Sequence, residues 1–465
     1  MSTVALPEPA IEARARGVQA PAYTARQAWA AACRLPDGVS DAGFRPLIQE
    51  IDPATLHPCF ATTLLNDGEE AFRIMGAACD EAREEILVET YILRDDRVGV
   101  SLFLQLAAAV KRGVRVCVLA DGIGSFGTGR KYWEDLEAAG IDVRIFHKWW
   151  WSPLHALRRD HRKIVVIDRQ VGFTGGMNIG VEYGSSIGAS AKAWRDTFIR
   201  VEGPVSAELA AVFAEGWDRA GGEALPGLEY VSWSNGIMQP PRGVAALRHP
   251  KIRMRLERRM ALRHDRKRGR RVKRSSGEEV ALQDGAVMVL DSRPGRGQPE
   301  TIAVMSALWG AARTRLWVTT PYFAPPIQAL DLLSTAVKRG VDVRLLLPGI
   351  TDAAFVQHAA HGTYDKLLKA GVRIFEYQPA VLHAKTMVVD GQVGVVGSAN
   401  LDFRSLWLNA ECNLLLFETG TAEALEQAFE KDLAQSVEIQ LAEWKQRTFR
   451  HRMFDALALS FRWAL

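Results

Sequence analysis

The chain repeats itself, and the repeat limits what it can fold into. Residues 109–122, AVKRGVRVCVLADG, return at 336–349 as AVKRGVDVRLLLPG with nine of fourteen positions identical. DHRKIVVIDRQVGFTGGMN at 160–178 returns as HAKTMVVDGQVGVVGSAN at 383–400. The offset is 227 for the first pair and 222 for the two histidines, His161 and His383, so the halves run in register with only a few residues of insertion. EAAGIDVRIF at 137–146 likewise echoes LKAGVRIFEY at 368–377.

Each half reads in one order. An apolar strand (EILVETYIL, RLWVTTPYF) precedes a helix with apolar residues at helical spacing (SLFLQLAAAVKRG, LDLLSTAVKRG), and another strand follows (VRVCVLAD, VDVRLLLP). After a second helix come two short strands about a turn, KIVVID with VGFTG and TMVVD with VGVVG. Alternating strands and helices imply an α/β fold: two halves related by a pseudo-twofold axis, each a mixed sheet flanked by helices, sharing one site. A chain of 465 residues has room for two such cores. The expected division is a flexible N-terminal arm over 1–40 with at most one short helix, a first half over 41–235, a basic linker over 236–283, a second half over 284–435 and a C-terminal amphipathic helix over 436–465.

Each motif copy carries the same chemistry: His161, Lys163 and Asp168, then Gly175, Gly176 and Asn178; His383, Lys385 and Asp390, then Gly397, Ser398 and Asn400. Residues two apart in an extended chain share a face, so each His and its Lys point the same way. Two His, two Lys and two Asn in a buried pocket favour an anion, and they suit a phosphodiester. Lysine and asparagine would hold the non-bridging oxygens, one imidazole would attack phosphorus, and the other would protonate the leaving alcohol. A metal site fits less well, because lysine is a poor neighbour for a cation and HExxH and clustered cysteines are absent. His358 and His361 would lie on adjacent turns of a helix without a nearby carboxylate, which reads as a helix face. There is also no Walker-type phosphate loop.

At these residues the sequence resembles the phospholipase D superfamily, whose hallmark is the paired HKD motif. Within it the chain is most similar to bacterial cardiolipin synthases, on VETYIL, DHRKIVVID with TGGMNIG, WRDTFIRVEGP and GSANLDFRSLWLNAE. The resemblance implies a phosphatidyltransferase that joins two phosphatidylglycerol molecules into cardiolipin and glycerol through a phosphohistidine. The alternatives are phospholipid hydrolysis and, less favoured, a nuclease of the same superfamily. It further implies catalytic positions at His161, Lys163, Asp168, His383, Lys385 and Asp390, with the two aspartates tying the turn after the strand. His161 would be the nucleophile and His383 the general acid and base. Asn178, Ser398 and Asn400 would bind the phosphate, with Gly176 offering backbone only. Asp196, in WRDTF, is matched to His161, and Glu411, in LNAE, to His383. No cofactor or metal is implied. The implied substrates are phosphatidylglycerol, with phosphatidylethanolamine as another donor.

The net charge of +4 is nearly balanced, but Arg248 to Arg274 hold fourteen Lys or Arg against Glu257 and Asp265. That run is either a solvated linker or a polyanion contact, to anionic lipid or to nucleic acid. Trp149 to Trp151 would suit the headgroup level or the contact between the halves. Near the C-terminus, Phe454, Leu457, Phe461 and Leu465 recur at helical spacing among Arg447, Arg450, Arg452 and Arg462, as in an interfacial helix or a docked core helix. No apolar run is long enough to span a bilayer, and five cysteines without a close pair favour a reducing compartment. The expected location is peripheral, on the cytoplasmic face of the bacterial inner membrane, with an anionic membrane surface as partner and nucleic acid less favoured.

Overall fold

The computed structural model describes residues 23–52, 54, 56–146, 158–184, 193–228, 233–234, 237–238, 285–293 and 299–462. Residues 1–22 of the expected arm, Trp149 to Trp151, the basic run 248–274 and Leu465 lie outside them.

Two mixed sheets repeat one strand order. In the first, seven strands run Ala61–Leu65, Phe198–Glu202, Val171–Gly175, Ile164–Ile167, Glu85–Thr90, Arg115–Asp121 and Asp142–Phe146. The second repeats that order with Ala286–Asp291, Cys412–Phe417, Val393–Gly397, Thr386–Val389, Arg315–Thr319, Asp342–Ile350 and Arg373–Val381, and adds Leu56–Pro58 and Ser436–Glu438 at its edges. In both, the last three of the seven pair in parallel and the others antiparallel. The apolar runs became strands because both faces are covered: Ile164–Ile167 and Glu85–Thr90 are buried at every residue.

The repeated AVKRG is a helix ending. Helices Arg97–Lys111 and Ile327–Lys338 are each followed by a glycine, Gly113 and Gly340, at φ 91°. A side chain would meet nothing within 4 Å at either, so the left-handed backbone alone calls for glycine there. Helix starts are equally legible: the Asp96 side chain accepts from the Val98 and Gly99 amides.

The halves meet over a shared core. Helix Pro204–Arg219, buried along most of its length, contacts strands of both sheets. Leu87, Ile164, Ile199, Phe213 and Trp217 there join Val287, Val388, Val396 and Leu414 of the second half.

The N-terminal boundary differs from expectation. Helix Ala25–Cys33 packs against helix Pro299–Ala311 with Ala28 and Ala32 fully buried, helix Phe44–Ile51 joins the same core, and Leu56–Pro58 pairs with Ala286–Asp291. Helices Ala25–Cys33 and Phe44–Ile51 and strand Leu56–Pro58 therefore complete the second half, though they precede the first in sequence. The cause is helix Pro299–Ala311, PETIAVMSALWGA, which is apolar on nearly every side and needs cover on more than one. Among the described residues no helix is long and apolar enough to cross a membrane.

Candidate active site

The two motifs come together at the junction of the halves, and the chain crosses over to build them. The His161 amide donates to the Ala410 carbonyl at 2.9 Å, and the Ala410 amide donates to the Arg159 carbonyl at 2.8 Å. In mirror fashion the His383 amide donates to the Arg195 carbonyl at 2.7 Å, and the Arg195 amide to that of Val381 at 2.8 Å. Each histidine is thus laid beside the other half's carboxylate. His161 Nδ1 lies 3.0 Å from Glu411 Oε2, and His383 Nδ1 lies 2.6 Å from Asp196 Oδ2. This reverses the expected matching of Asp196 with His161 and Glu411 with His383. The physical reason is the pair of backbone bridges, which place residues 195–196 next to 383 and residues 410–411 next to 161.

With Nδ1 donating to a carboxylate, each imidazole keeps its Nε2 lone pair for chemistry. Both histidines, both lysines and both carboxylates are buried. Lys163 Nζ donates to the His161 carbonyl at 2.7 Å, and Lys385 Nζ donates to the His383 carbonyl and lies 2.9 Å from His383 Nδ1. Burial dominates their protonation. It drives His161 well below the usual imidazole range, with the Lys163 charge adding to the effect, and brings His383 to about 4 against the pull of Asp196. It lowers Lys163 to about 7 and Lys385 to about 8, each opposed by the nearby carboxylates, and raises Glu411 to about 7 against Lys163. A phosphate anion arriving here would favour the charged form of both histidines and both lysines, and the neutral form of Glu411.

The Gly-rich turns differ for a steric reason. A Cβ at Gly176 would sit 2.1 Å from Asp196 Oδ1, so a bare glycine is what admits that carboxylate. The second half has Ser398 there, and its hydroxyl donates to Glu411 Oε2 at 2.5 Å and accepts the Cys412 amide at 2.9 Å. Ser398 therefore braces the carboxylate behind His161. Asn178 is likewise engaged, accepting the Ile92 amide at 3.1 Å and donating to Tyr183 Oη at 2.7 Å. Asn400 Oδ1 is buried without a hydrogen-bond partner among the described residues.

Asp168 and Asp390 do not join the site, which corrects their place among the catalytic positions and fits the turn-tying role. Asp168, at φ 48°, accepts the amides of Arg83, Glu84 and Glu85 at 2.8–2.9 Å. Asp390, at φ 54°, accepts those of Arg313, Thr314 and Arg315 at 2.8–2.9 Å. Each carboxylate is fully used in pinning the start of the neighbouring strand.

Several contributors were invisible in the sequence reading. Tyr91 packs edge-on to His161 with centroids 4.9 Å apart, and its hydroxyl accepts from Arg159 Nη1 at 2.5 Å. Trp194, Tyr183 and Tyr322 surround His383 at 5.3, 5.7 and 6.2 Å. Arg162, between the motif His and Lys, points to the other face. It lies 3.6 Å from buried Glu89 and donates to the Ser292 carbonyl at 2.7 Å, while Ser292 Oγ accepts the Glu411 amide at 2.7 Å. A charged residue flanked by an apolar strand was the only signal for it. His358 and His361 also gain a carboxylate that the sequence hid: Asp455 accepts from His358 Nδ1 at 2.8 Å, and His361 Nδ1 is 3.9 Å from it. Arg447 Nη1 lies 2.5 Å from the other Asp455 oxygen and His361 Nε2 is 3.2 Å from Glu376, so this cluster is an ion-pair network already supplied with a cation.

Residues 76–213 and 305–433 match the family model described as "Cardiolipin synthase, PLD-like domain". Cardiolipin synthase 1 of Bacillus cereus is 31% identical over 401 residues, covering 85% of this chain and 70% of that one. The cardiolipin synthase of Geobacillus kaustophilus is 32% identical over 426 residues, covering 89% and 75%. Among solved structures, the phosphatidylserine synthase of Haemophilus influenzae Rd KW20 superposes with a TM-score of 0.64 at 15% identity, over 91% of this chain and all of that one, which is a likeness of fold. With two matched PLD-like segments closing on one paired-histidine pocket, the chain belongs to the cardiolipin synthase family of phospholipase D-like phosphatidyltransferases.

Proposed function

We propose that the chain is a cardiolipin synthase that transfers a phosphatidyl group between two phosphatidylglycerol molecules through a phosphohistidine. His161 Nε2 attacks phosphorus, the phosphorus–oxygen bond to glycerol breaks, and His383 gives its Nε2 proton to the departing oxygen. The hydroxyl of a second phosphatidylglycerol then passes its proton to His383 and attacks phosphorus, breaking the phosphorus–nitrogen bond and releasing cardiolipin. Lys163 and Lys385 neutralise the non-bridging oxygens, with Asn400 beside them. For His383 to start protonated, its pKa must rise from about 4, and the bound phosphodiester supplies the charge, with Asp196 stabilising the imidazolium.

The observation that carries this reading is the pair of Nδ1–carboxylate contacts, which leave two Nε2 atoms for one phosphodiester. Aromatic rings around both imidazoles support transfer to an alcohol over hydrolysis, since they line the pocket with groups that hold water poorly. The test is the product spectrum from vesicles containing labelled phosphatidylglycerol, with and without phosphatidylethanolamine. Cardiolipin with released glycerol is expected, whereas phosphatidic acid alone would make it a hydrolase. Cleavage of DNA or RNA with no lipid consumed would make it a nuclease.

A further inference from the structure

The C-terminal helix, Phe449–Ser460, is docked the wrong way round for a helix in water. A surface helix normally buries its apolar stripe and exposes its charges. Here the buried residues are Asp455 and Ala458, while Phe449, Met453, Phe454, Leu457 and the following Phe461 point outward, Phe449 at 78% exposure and Phe454 at 55%. These five are among thirteen large hydrophobic side chains exposed in the described residues, so the clustering is marked. Arg450 and Arg452 are exposed beside them.

The orientation is fixed rather than frayed. Asp455 is held from two sides, by His358 at 2.8 Å and by Arg447 at 2.5 Å. The helix lies tight on helix Ala354–Ala370, where a Cβ at Gly362 would come 2.9 Å from the Asp455 carbonyl oxygen. A short chain of residues connects the apolar patch to the candidate site. Phe461 meets exposed Phe355 with centroids 6.3 Å apart. Three residues before Phe355, Asp352 accepts from the Tyr322 hydroxyl at 2.8 Å, and the Tyr322 ring lies 6.2 Å from that of His383.

We propose that this outward face, Phe449, Met453, Phe454, Leu457 and Phe461 with Phe355, seats the protein on a bilayer containing anionic lipid. An occupant must take in aromatic and aliphatic side chains and also satisfy the interleaved arginines. The interface of an anionic bilayer does both, with acyl chains below and phosphates at the level of Arg450 and Arg452. Choosing a bilayer over a second copy of the chain rests on the lipid reading of the site.

The experiment is flotation of the full chain with phosphatidylcholine vesicles, with and without phosphatidylglycerol. It compares wild type, the triple variant Phe454→Ser/Leu457→Ser/Phe461→Ser, and Arg450→Gln/Arg452→Gln. The triple variant should lose about tenfold or more in vesicle binding, and the arginine pair should weaken binding only to anionic vesicles. Turnover of detergent-dispersed phosphatidylglycerol by the triple variant should stay within about twofold of wild type, which also shows that the fold survives. Unchanged flotation of the triple variant, or no binding by wild type, would overturn the proposal. So would a wild-type dimer that the triple variant turns into a monomer with vesicle binding intact, since the face would then join two copies. A wild type that floats through this helix but consumes no phospholipid would leave the docking surface standing and sink the catalytic reading instead.

Discussion

Glu411 lies 250 positions from His161 in sequence, yet its Oε2 is 3.0 Å from His161 Nδ1. Asp196 of the first half stands behind His383 of the second in the same way. The duplication has therefore been knitted into one candidate site in which each half supplies an imidazole and the carboxylate that holds the other's. The two carboxylates sit in different steps of the proposed cycle, and this separates their expected phenotypes. Glu411→Gln removes the charge that stabilises His161 as it attacks and should slow formation of the phosphohistidine. Asp196→Asn weakens His383 as acid and base and should let labelled enzyme persist. Turnover in each should fall about 10²–10⁴-fold. Trapping with phosphorus-labelled phosphatidylglycerol reads the difference. Labelled protein accumulating in Glu411→Gln and not in Asp196→Asn would assign the roles the other way, and none is expected in His161→Ala.

Gly176 is required by its neighbour and not by its backbone. A methyl group there would overlap Asp196 Oδ1 at 2.1 Å, and that carboxylate also accepts the Thr197 amide at 2.7 Å. Gly176→Ala should push Asp196 off His383, costing about 1–3 kcal/mol of stability as an overpacked site. Thermal unfolding and turnover measured together check this, with kcat expected to fall while Ser398→Gly, which removes the brace on Glu411 and the acceptor of the Cys412 amide but overlaps nothing, keeps the fold.

The motif aspartates should behave as structural residues. Asp168→Ala deletes acceptors for three backbone amides at the head of strand Glu85–Thr90 and leaves a left-handed residue without its side-chain bonds. A loss of about 1–3 kcal/mol is expected from charge-assisted bonds of this kind. Turnover per folded molecule should stay near wild type at a temperature where the variant is folded. A large fall in kcat with unchanged unfolding would place Asp168 in the chemistry after all.

The parts of this molecule that were legible in sequence are those that a local pattern encodes. AVKRG announces a helix and its left-handed stop, IVVI and TMVV announce buried strands, and the doubled His-x-Lys marks the candidate site. What stayed hidden depends on contacts between segments far apart. Nothing local says that Arg195 will lie beside His383, so the carboxylates were matched to the wrong histidines. Nothing near residue 30 says that Ala28 and Ala32 will cover Pro299–Ala311. His358 gave no hint of Asp455, 97 positions on. Nothing local to Tyr91 or Trp194 says that their rings will lie against the imidazoles.

The pH profile offers the sharpest check on the buried charges. A phosphatidylglycerol phosphodiester keeps one negative charge between about pH 5 and 10, so changes in that range belong to the enzyme. Burial lowers Lys163 to about 7 and Lys385 to about 8. A lysine with a depressed pKa is fully charged below the lowered value and loses its charge as pH rises through it. The hold on phosphate should therefore be complete near pH 6 and weaken between about 7 and 8, reported as macroscopic values of the coupled group. His161 is neutral down to well below the usual imidazole range, which moves the acid limb to lower pH. In kcat/KM, which reports the free enzyme, the fall begins as His383 loses its proton, and the lysines should add a steeper limb at about pH 7–8. The limb in kcat should lie higher, because bound phosphodiester favours the charged lysines. An alkaline limb in kcat/KM near the ordinary lysine value of about 10 would mean that the amines stay charged despite burial.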